Sequence, residues 1–225
     1  MPNHPLDFVY VHFAKAGGTS LARALSNHYQ DRVFWDLDHD PCNAAHDIHE
    51  PPALAENIQA VQGHIRADRY AGYPVRVLTT FLRDPVDRLI SGYFFWKTLP
   101  PTNSPDHLRF LAEQPSILER AHATAGTAHR AFYDGFDMRD FDFVGFHDRR
   151  VEDLATLSEM AGFPMPPDVH LNATPPSQER AEVMSNPALL AELRRALADE
   201  VEFYEKVRSD RLNGRKPKSR APASR

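Results

Sequence analysis

Lys15, Gly17, Gly18, Thr19 and Ser20 fall within six consecutive positions. An ammonium, two hydroxyls and two residues without side chains make a set suited to an anion. Glycines let the backbone come close to an oxyanion, and N–H groups at the start of a helix point at it. Lys15 adds a full positive charge, and Ala16 keeps the turn small. The plain alternative is a tight strand-to-helix turn that holds nothing, since glycine patterns alone are weak signals. The order of residues also excludes a Walker A loop. There the lysine follows the glycines, directly before Ser or Thr, whereas here it precedes them, which counts against an ordinary ATPase or GTPase.

Such a loop needs a strand before it and a helix after it. Residues 8–13 form a nearly continuous β-branched and aromatic run, the pattern of a buried strand, and residues 19–29 have helical spacing. Further strands are expected at 33–37, 60–65 and 75–82, the last being the clearest, and at 142–146. The second of these ends at Gly63 and His64, and a lone histidine is more often a packing or surface residue than a catalyst. Arg83-Asp84-Pro85 closes the 75–82 run, and Pro85 suits the first position of a helix reaching about residue 97. Arg83 therefore stands at the carboxyl end of a strand, with Ser91 about two turns along the next helix. The ligand crevice of open α/β sheets lies outside such strand ends. Helices are also expected at 51–58, 151–160 and 186–208, the last as one long amphipathic rod packing on the sheet. Residues 106–132 are helix-compatible, with breaks near Pro115 and Gly126, and residues 98–135 read as a helical cap or acceptor-side insertion. Residues 168–177 read as a Pro-rich loop. The alternation of strands and helices predicts an α/β fold: a three-layer parallel sheet flanked by helices, P-loop nucleotide-hydrolase-like, in a single domain over residues 1–209.

The 225 residues are 42% hydrophobic, enough for a real core, and the formal net charge of −5 gives no global case for nucleic acid or membrane binding. The single cysteine, Cys42, excludes an internal disulfide framework and fits a reducing compartment. No long apolar run is present, so a soluble, cytoplasmic protein without a membrane span is expected. His39, Cys42, His46 and His49 lie close together, but their spacing matches no zinc pattern, and no metal site is expected. Asn172-Ala173-Thr174 matches a glycosylation sequon and is read as chance. The tail, residues 210–225, carries Arg211, Arg215, Lys216, Lys218, Arg220 and Arg225, and is expected to be disordered and solvated.

The loop His12-Phe13-Ala14-Lys15-Ala16-Gly17-Gly18-Thr19-Ser20-Leu21 resembles the H-x-P-K-x-G-G-T-S loop of carbohydrate sulfotransferases, in the group containing heparan sulfate 2-O-sulfotransferase. Leu82-Arg83-Asp84-Pro85 with Arg88, Ser91 and Tyr93 is similar to that family's L-R-D-P-x-x-R-x-x-S-x-Y segment. Gly63-His64 and Asp142-Phe143-Val144-Gly145 match its shorter G-H and D-F-V-G elements. The matches run in family order over residues 8–162. Ala14 stands where the family usually has Pro, and Gln62 where the heparan sulfate 2-O-enzymes carry a further His. The second departure puts their acceptor specificity in doubt here.

The resemblance implies sulfuryl transfer from 3′-phosphoadenosine 5′-phosphosulfate (PAPS) to a hydroxyl, on a glycan or glycolipid, without a metal. Lys15, Ala16, Gly17, Gly18, Thr19 and Ser20 would hold the 5′-phosphosulfate, and Arg83 and Ser91 the 3′-phosphate. Lys15 would also stabilise charge on the leaving phosphate. His64 would be the base, its ordinary pKa of about 6.5 suiting that role; His12 and His170 come next. Without a Golgi anchor, a bacterial enzyme is expected. Two other readings stay open: a divergent P-loop kinase, for which no acid on a second strand is evident, and a nucleotide- or polyanion-binding module without turnover.

Overall fold

The computed structural model describes residues 4–37, 50–166 and 176–214. Five strands, β1 (Leu6–Val11), β2 (Val33–Asp36), β3 (Ala60–Gly63), β4 (Val75–Leu82) and β5 (Phe143–Phe146), form one sheet in the order β2-β3-β1-β4-β5. Every pairing is parallel. Nine helices flank the sheet or extend it among the described residues: α1 (Thr19–Tyr29), α2 (Pro85–Thr98), α3 (Pro105–Glu113), α4 (Ile117–Thr124), α5 (Ala128–Tyr133), α6 (Arg150–Ala161), α7 (Gln178–Met184), α8 (Pro187–Ala196) and α9 (Ala198–Leu212). This is the expected P-loop-like α/β architecture.

β1 is the middle strand, and Leu6, Phe8, Tyr10 and Val11 are fully buried. A strand covered on both faces tolerates no polar face, hence the continuous apolar run. Buried Thr79 and Thr80 of β4 satisfy their hydroxyls by donating to the Phe143 and Val11 carbonyls, 3.0 and 2.8 Å away, which ties β4 to both neighbours. Asp84 caps α2: its carboxylate accepts from the Val86 and Asp87 N–H groups, and Pro85 occupies the first turn. Ser116 and Glu119 form a reciprocal capping box on α4, just after the break expected at Pro115.

Three expectations need correction. The long helix at 186–208 is two helices broken at Leu197. The break divides its apolar stripe between two clusters: Leu193 and Leu197 pack with α2, α3 and α4, while Tyr204 and Val207 join the main core under the sheet. α9 then runs on to Leu212, past the expected start of the tail. Residues 51–58 form no helix. They offer only one buried side chain, Ile58, and the Gln59 N–H goes to the Arg32 carbonyl at 2.9 Å, so the segment is drawn out toward β3 instead. β1 starts two residues early and ends at Val11, because Phe13 turns its N–H back onto the Val11 carbonyl at 3.1 Å. α7 had no counterpart in the sequence reading. The cluster around Cys42, the sequon, His170 and the tail beyond residue 214 lie outside the described residues.

Candidate functional site

The site lies at the carboxyl edge of the sheet, where β1 turns into α1. Lys15 and Gly17 take left-handed backbone conformations, φ 64° and 89°. For Gly17 this is free; for Lys15 it costs about 1 kcal/mol or more. Gly18 is required by space. A Cβ there would stand 2.1 Å from the Tyr10 hydroxyl and 2.5 Å from the His12 ring, and one on Gly17 would stand 2.7 Å from the His147 ring. The loop thus lies flush on a floor of Tyr10 and His12, with His147 at its side. No side chain caps α1, and its first turn holds no acid, so its N–H groups have no acceptor from a capping side chain.

Cations crowd this loop. The Lys15 ammonium sits 3.7 Å from the centre of the Phe95 ring on α2. Burial, with Arg83 and Arg180 nearby, pulls its pKa down to about 8. Arg83 Nη1 donates to the Lys15 carbonyl at 3.4 Å, while its buried Nε has no partner among the described residues. Burial lowers the Arg83 pKa, and Arg180 adds to the effect. Arg150, at the start of α6, donates to the Ser20 hydroxyl. Burial, then Arg83 and Arg150, push His147 to about 4, so it is neutral at physiological pH. Ser91 is buried on α2, beside Gly92, whose Cβ position is 3.7 Å from Lys15 Cγ. The structure therefore brings Lys15, the glycine turn, Ser20, Arg83 and the Ser91 turn of α2 to one place. Lys15 and Arg83 keep their charges there against burial and the repulsion of neighbouring arginines, a cost that a bound polyanion would relieve.

His64 follows β3 on the same edge. The His12 N–H donates to the Gly63 carbonyl at 2.8 Å, and the two imidazoles meet edge to face, 5.0 Å between centres. His12 itself stacks on Tyr10 and is driven to about 3 by burial and by His64 and Lys15. It is a neutral member of the floor and an unsuitable base, whereas His64 keeps part of its surface exposed. The position of His64 is anchored from below. A Cβ on Gly63 would stand 1.9 Å from the Asp36 carbonyl, and Asp36 is held by Arg69 and Tyr70, both at 2.7 Å. Asp84 caps α2 and binds Arg194 at 3.1 Å, which removes it from the chemistry. No group of three metal-ligating side chains occurs among the described residues.

Three residues at the site escaped the sequence reading. His147 and Arg150 follow the exit of β5, a strand end where ligand contacts are expected, so their signal was present. Arg180 lies on α7, 160 or more residues beyond the loop, and nothing local marks it.

Two sulfotransferases are among the solved structures that the chain matches by fold comparison. One is the sulfotransferase from Alicyclobacillus acidocaldarius, at 14% identity, covering 88% of this chain and 96% of that one with a TM-score of 0.40. The other is mouse sulfotransferase SULT7A1 complexed with PAP, at 12% identity, covering 89% and 68% with a TM-score of 0.36. No curated protein matches the chain in sequence. The family profile described as "Sulfotransferase family" matches residues 2–205, spanning the phosphate loop, the Arg83 segment and the helices that follow. The chain belongs to the sulfotransferase family.

Proposed function

We propose that the protein transfers the sulfuryl group of PAPS to a hydroxyl of a carbohydrate or glycolipid. The observation that carries this reading is the convergence of Lys15, Arg83, Arg150 and Arg180 on a loop whose helix start lacks a side-chain cap. The residues fit a 3′,5′-bisphosphorylated nucleotide. Gly17 and Gly18 let the loop lie flush on Tyr10, His12 and His147 with its backbone free of side chains, and the Arg83 Nε, without a partner among the described residues, offers a donor one loop away.

In this reading, residues 15–20 hold the 5′-phosphosulfate, and Arg83 with Ser91 holds the 3′-phosphate. Positioning and charge stabilisation dominate such transfers. The acceptor oxygen forms its bond to sulfur as the bond from sulfur to the 5′-phosphate oxygen breaks. Lys15 stabilises the charge that collects on that oxygen, and His64 takes the proton of the hydroxyl. Calorimetric titration without metal tests the donor: 3′-phosphoadenosine 5′-phosphate (PAP) should bind far more tightly than AMP or ATP. Preference for ATP with Mg²⁺ would return the loop to a kinase.

A further inference from the structure

We propose that Phe95 is a positioning residue for Lys15: its ring face holds the ammonium in place for the donor's 5′-phosphate and leaves the charge unneutralised. The proposal rests on the sulfuryl-transfer reading above and adds to it a residue of α2 that lies outside the glycine loop.

Two contacts fix the direction in which Lys15 runs. A Cβ on Gly92 would stand 3.7 Å from Lys15 Cγ, an ordinary van der Waals distance, so the stem of the lysine lies against the bare backbone of α2. One turn on, the ammonium sits 3.7 Å from the centre of the Phe95 ring. Residues three apart share a helix face. Gly92 and Phe95 therefore form one track, a gap for the methylenes followed by a ring for the charge. Lys15 enters that track from its left-handed turn, φ 64°, where its carbonyl accepts from Arg83. α2 is pinned at its start by the Asp84 cap and buried through Leu89, Ile90 and Phe94, which makes the track rigid.

A ring suits this task better than a carboxylate would. A cation within about 6 Å of a ring centre is drawn to its face by the quadrupole. Seating the ammonium removes the freedom of a long flexible stem before the donor arrives, so less is lost when it binds. A carboxylate would orient the ammonium too, but would cancel the charge that a phosphate needs. Lys97, also on α2, shows that alternative, since it pairs with Glu179 of α7. Among the described residues no carboxylate pairs with Lys15. The charged and titratable groups that act on it are Arg83 after β4, Arg180 on α7 and His12 on its own loop. The arginines stay cationic above neutral pH. His12 and His147, near 3 and near 4, stay neutral there, so the change of charge in that range belongs to Lys15.

The test reads Lys15 directly. Brief acetylation with acetic anhydride from about pH 7 to about pH 10, followed by mass spectrometry of the Lys15 peptide, gives the pH at which the amine loses its proton. The wild-type midpoint is expected at about 8. Phe95→Leu keeps an apolar side chain on α2 and removes the quadrupole, so the midpoint should fall by about 0.4–0.7 pH units. Phe95→Tyr keeps a ring and should leave the midpoint in place. PAP is then titrated calorimetrically into the same proteins near neutral pH. Phe95→Leu should weaken PAP about two- to fivefold, and the same substitution in a Lys15→Met background should change nothing. A midpoint that Phe95→Leu leaves in place or raises overturns the proposal. So does unchanged PAP affinity in Phe95→Leu, or an equal loss with and without Lys15, the mark of a merely structural ring. Failure of PAP to bind the wild-type protein removes the donor reading and the role of Phe95 with it, and is told apart because the acetylation midpoint needs no donor.

Discussion

Replacing Lys15 with methionine should stabilise the unliganded fold while abolishing most of its activity. The Lys15 ammonium is pulled to about 8 by burial and by Arg83 and Arg180, from an ordinary value of about 10.4. One unit of pKa corresponds to about 1.4 kcal/mol, and solvent screening at this partly exposed side chain reduces the penalty of keeping the charge to about 1–2 kcal/mol. The lost cation–π contact with Phe95, worth about 0.5–1 kcal/mol, is largely replaced by a thioether contact with the same ring. A net gain of about 1 kcal/mol should raise Tm by about 2–4 °C for a chain of this size. The sign of the pH dependence follows from linkage. Between about 8 and about 10.4 the unfolded state binds more protons than the folded one, so wild-type stability rises with pH there. The penalty is fully present below about 8 and relieved above it, so the advantage of Lys15→Met should shrink as pH climbs through that window. Calorimetric melts of both proteins at pH values near 7.5 and near 10 check this. A lower Tm for Lys15→Met at the lower pH, or a gap that widens with pH, would refute the account of a strained cation. Turnover should fall by about 10²–10³, the usual cost of one charge-stabilising donor.

His64→Ala should lower turnover by about 10²–10⁴ with little change in PAP affinity; full rate across pH would remove His64 as the base. Arg83→Ala should weaken PAP far more than its 3′-hydroxyl analogue AMP, and equal weakening measured by calorimetry would make Arg83 purely structural. Gly18→Ala should displace the loop, since the new Cβ falls 2.1 Å from the Tyr10 hydroxyl. A loss of about 1–3 kcal/mol in denaturant titration, with loss of PAP binding, is expected, and a variant that melts and binds like wild type would show that the floor yields.

The sheet and the loop were legible because their residues obey local rules. β4 and α1 have the bounds their patterns predict, and Pro85 and Asp84 mark the start of α2 by cap chemistry that needs no tertiary information. The break at Leu197 was illegible for the opposite reason. Leu189, Leu193, Val201 and Tyr204 keep helical spacing straight through it, and the passage of the stripe from one cluster, which still holds Val201, to the other at Tyr204 is visible only in the fold. At the site, Lys15, Gly17, Gly18, Ser20 and Arg83 were found because they sit in contiguous segments. Arg150 reaches that loop from α6 by its hydrogen bond to Ser20, and Arg180 acts on Lys15 through space from α7; sequence distance hides both. His12 shows a third kind of limit: its type suggests a base, while its burial against Tyr10 makes it floor.

The sheet order has a consequence for how the protein is made. β1 leaves the ribosome first, yet it occupies the middle of the sheet, between β3 and β4. One edge of β1 waits for β3 and the other for β4, so both are satisfied only once residue 82 has been synthesised and released. Until then its six mostly apolar residues keep at least one open edge, the kind of segment that chaperones bind and that pairs with other chains. The glycine loop that follows β1 therefore gains a fixed Tyr10 and His12 floor only once β3 and β4 have docked, and its Arg150 later still. Vectorial synthesis delivers the glycine loop before the strands and helices that enclose it, so slowing elongation after β1 should lower the yield of native protein more than slowing it after β5.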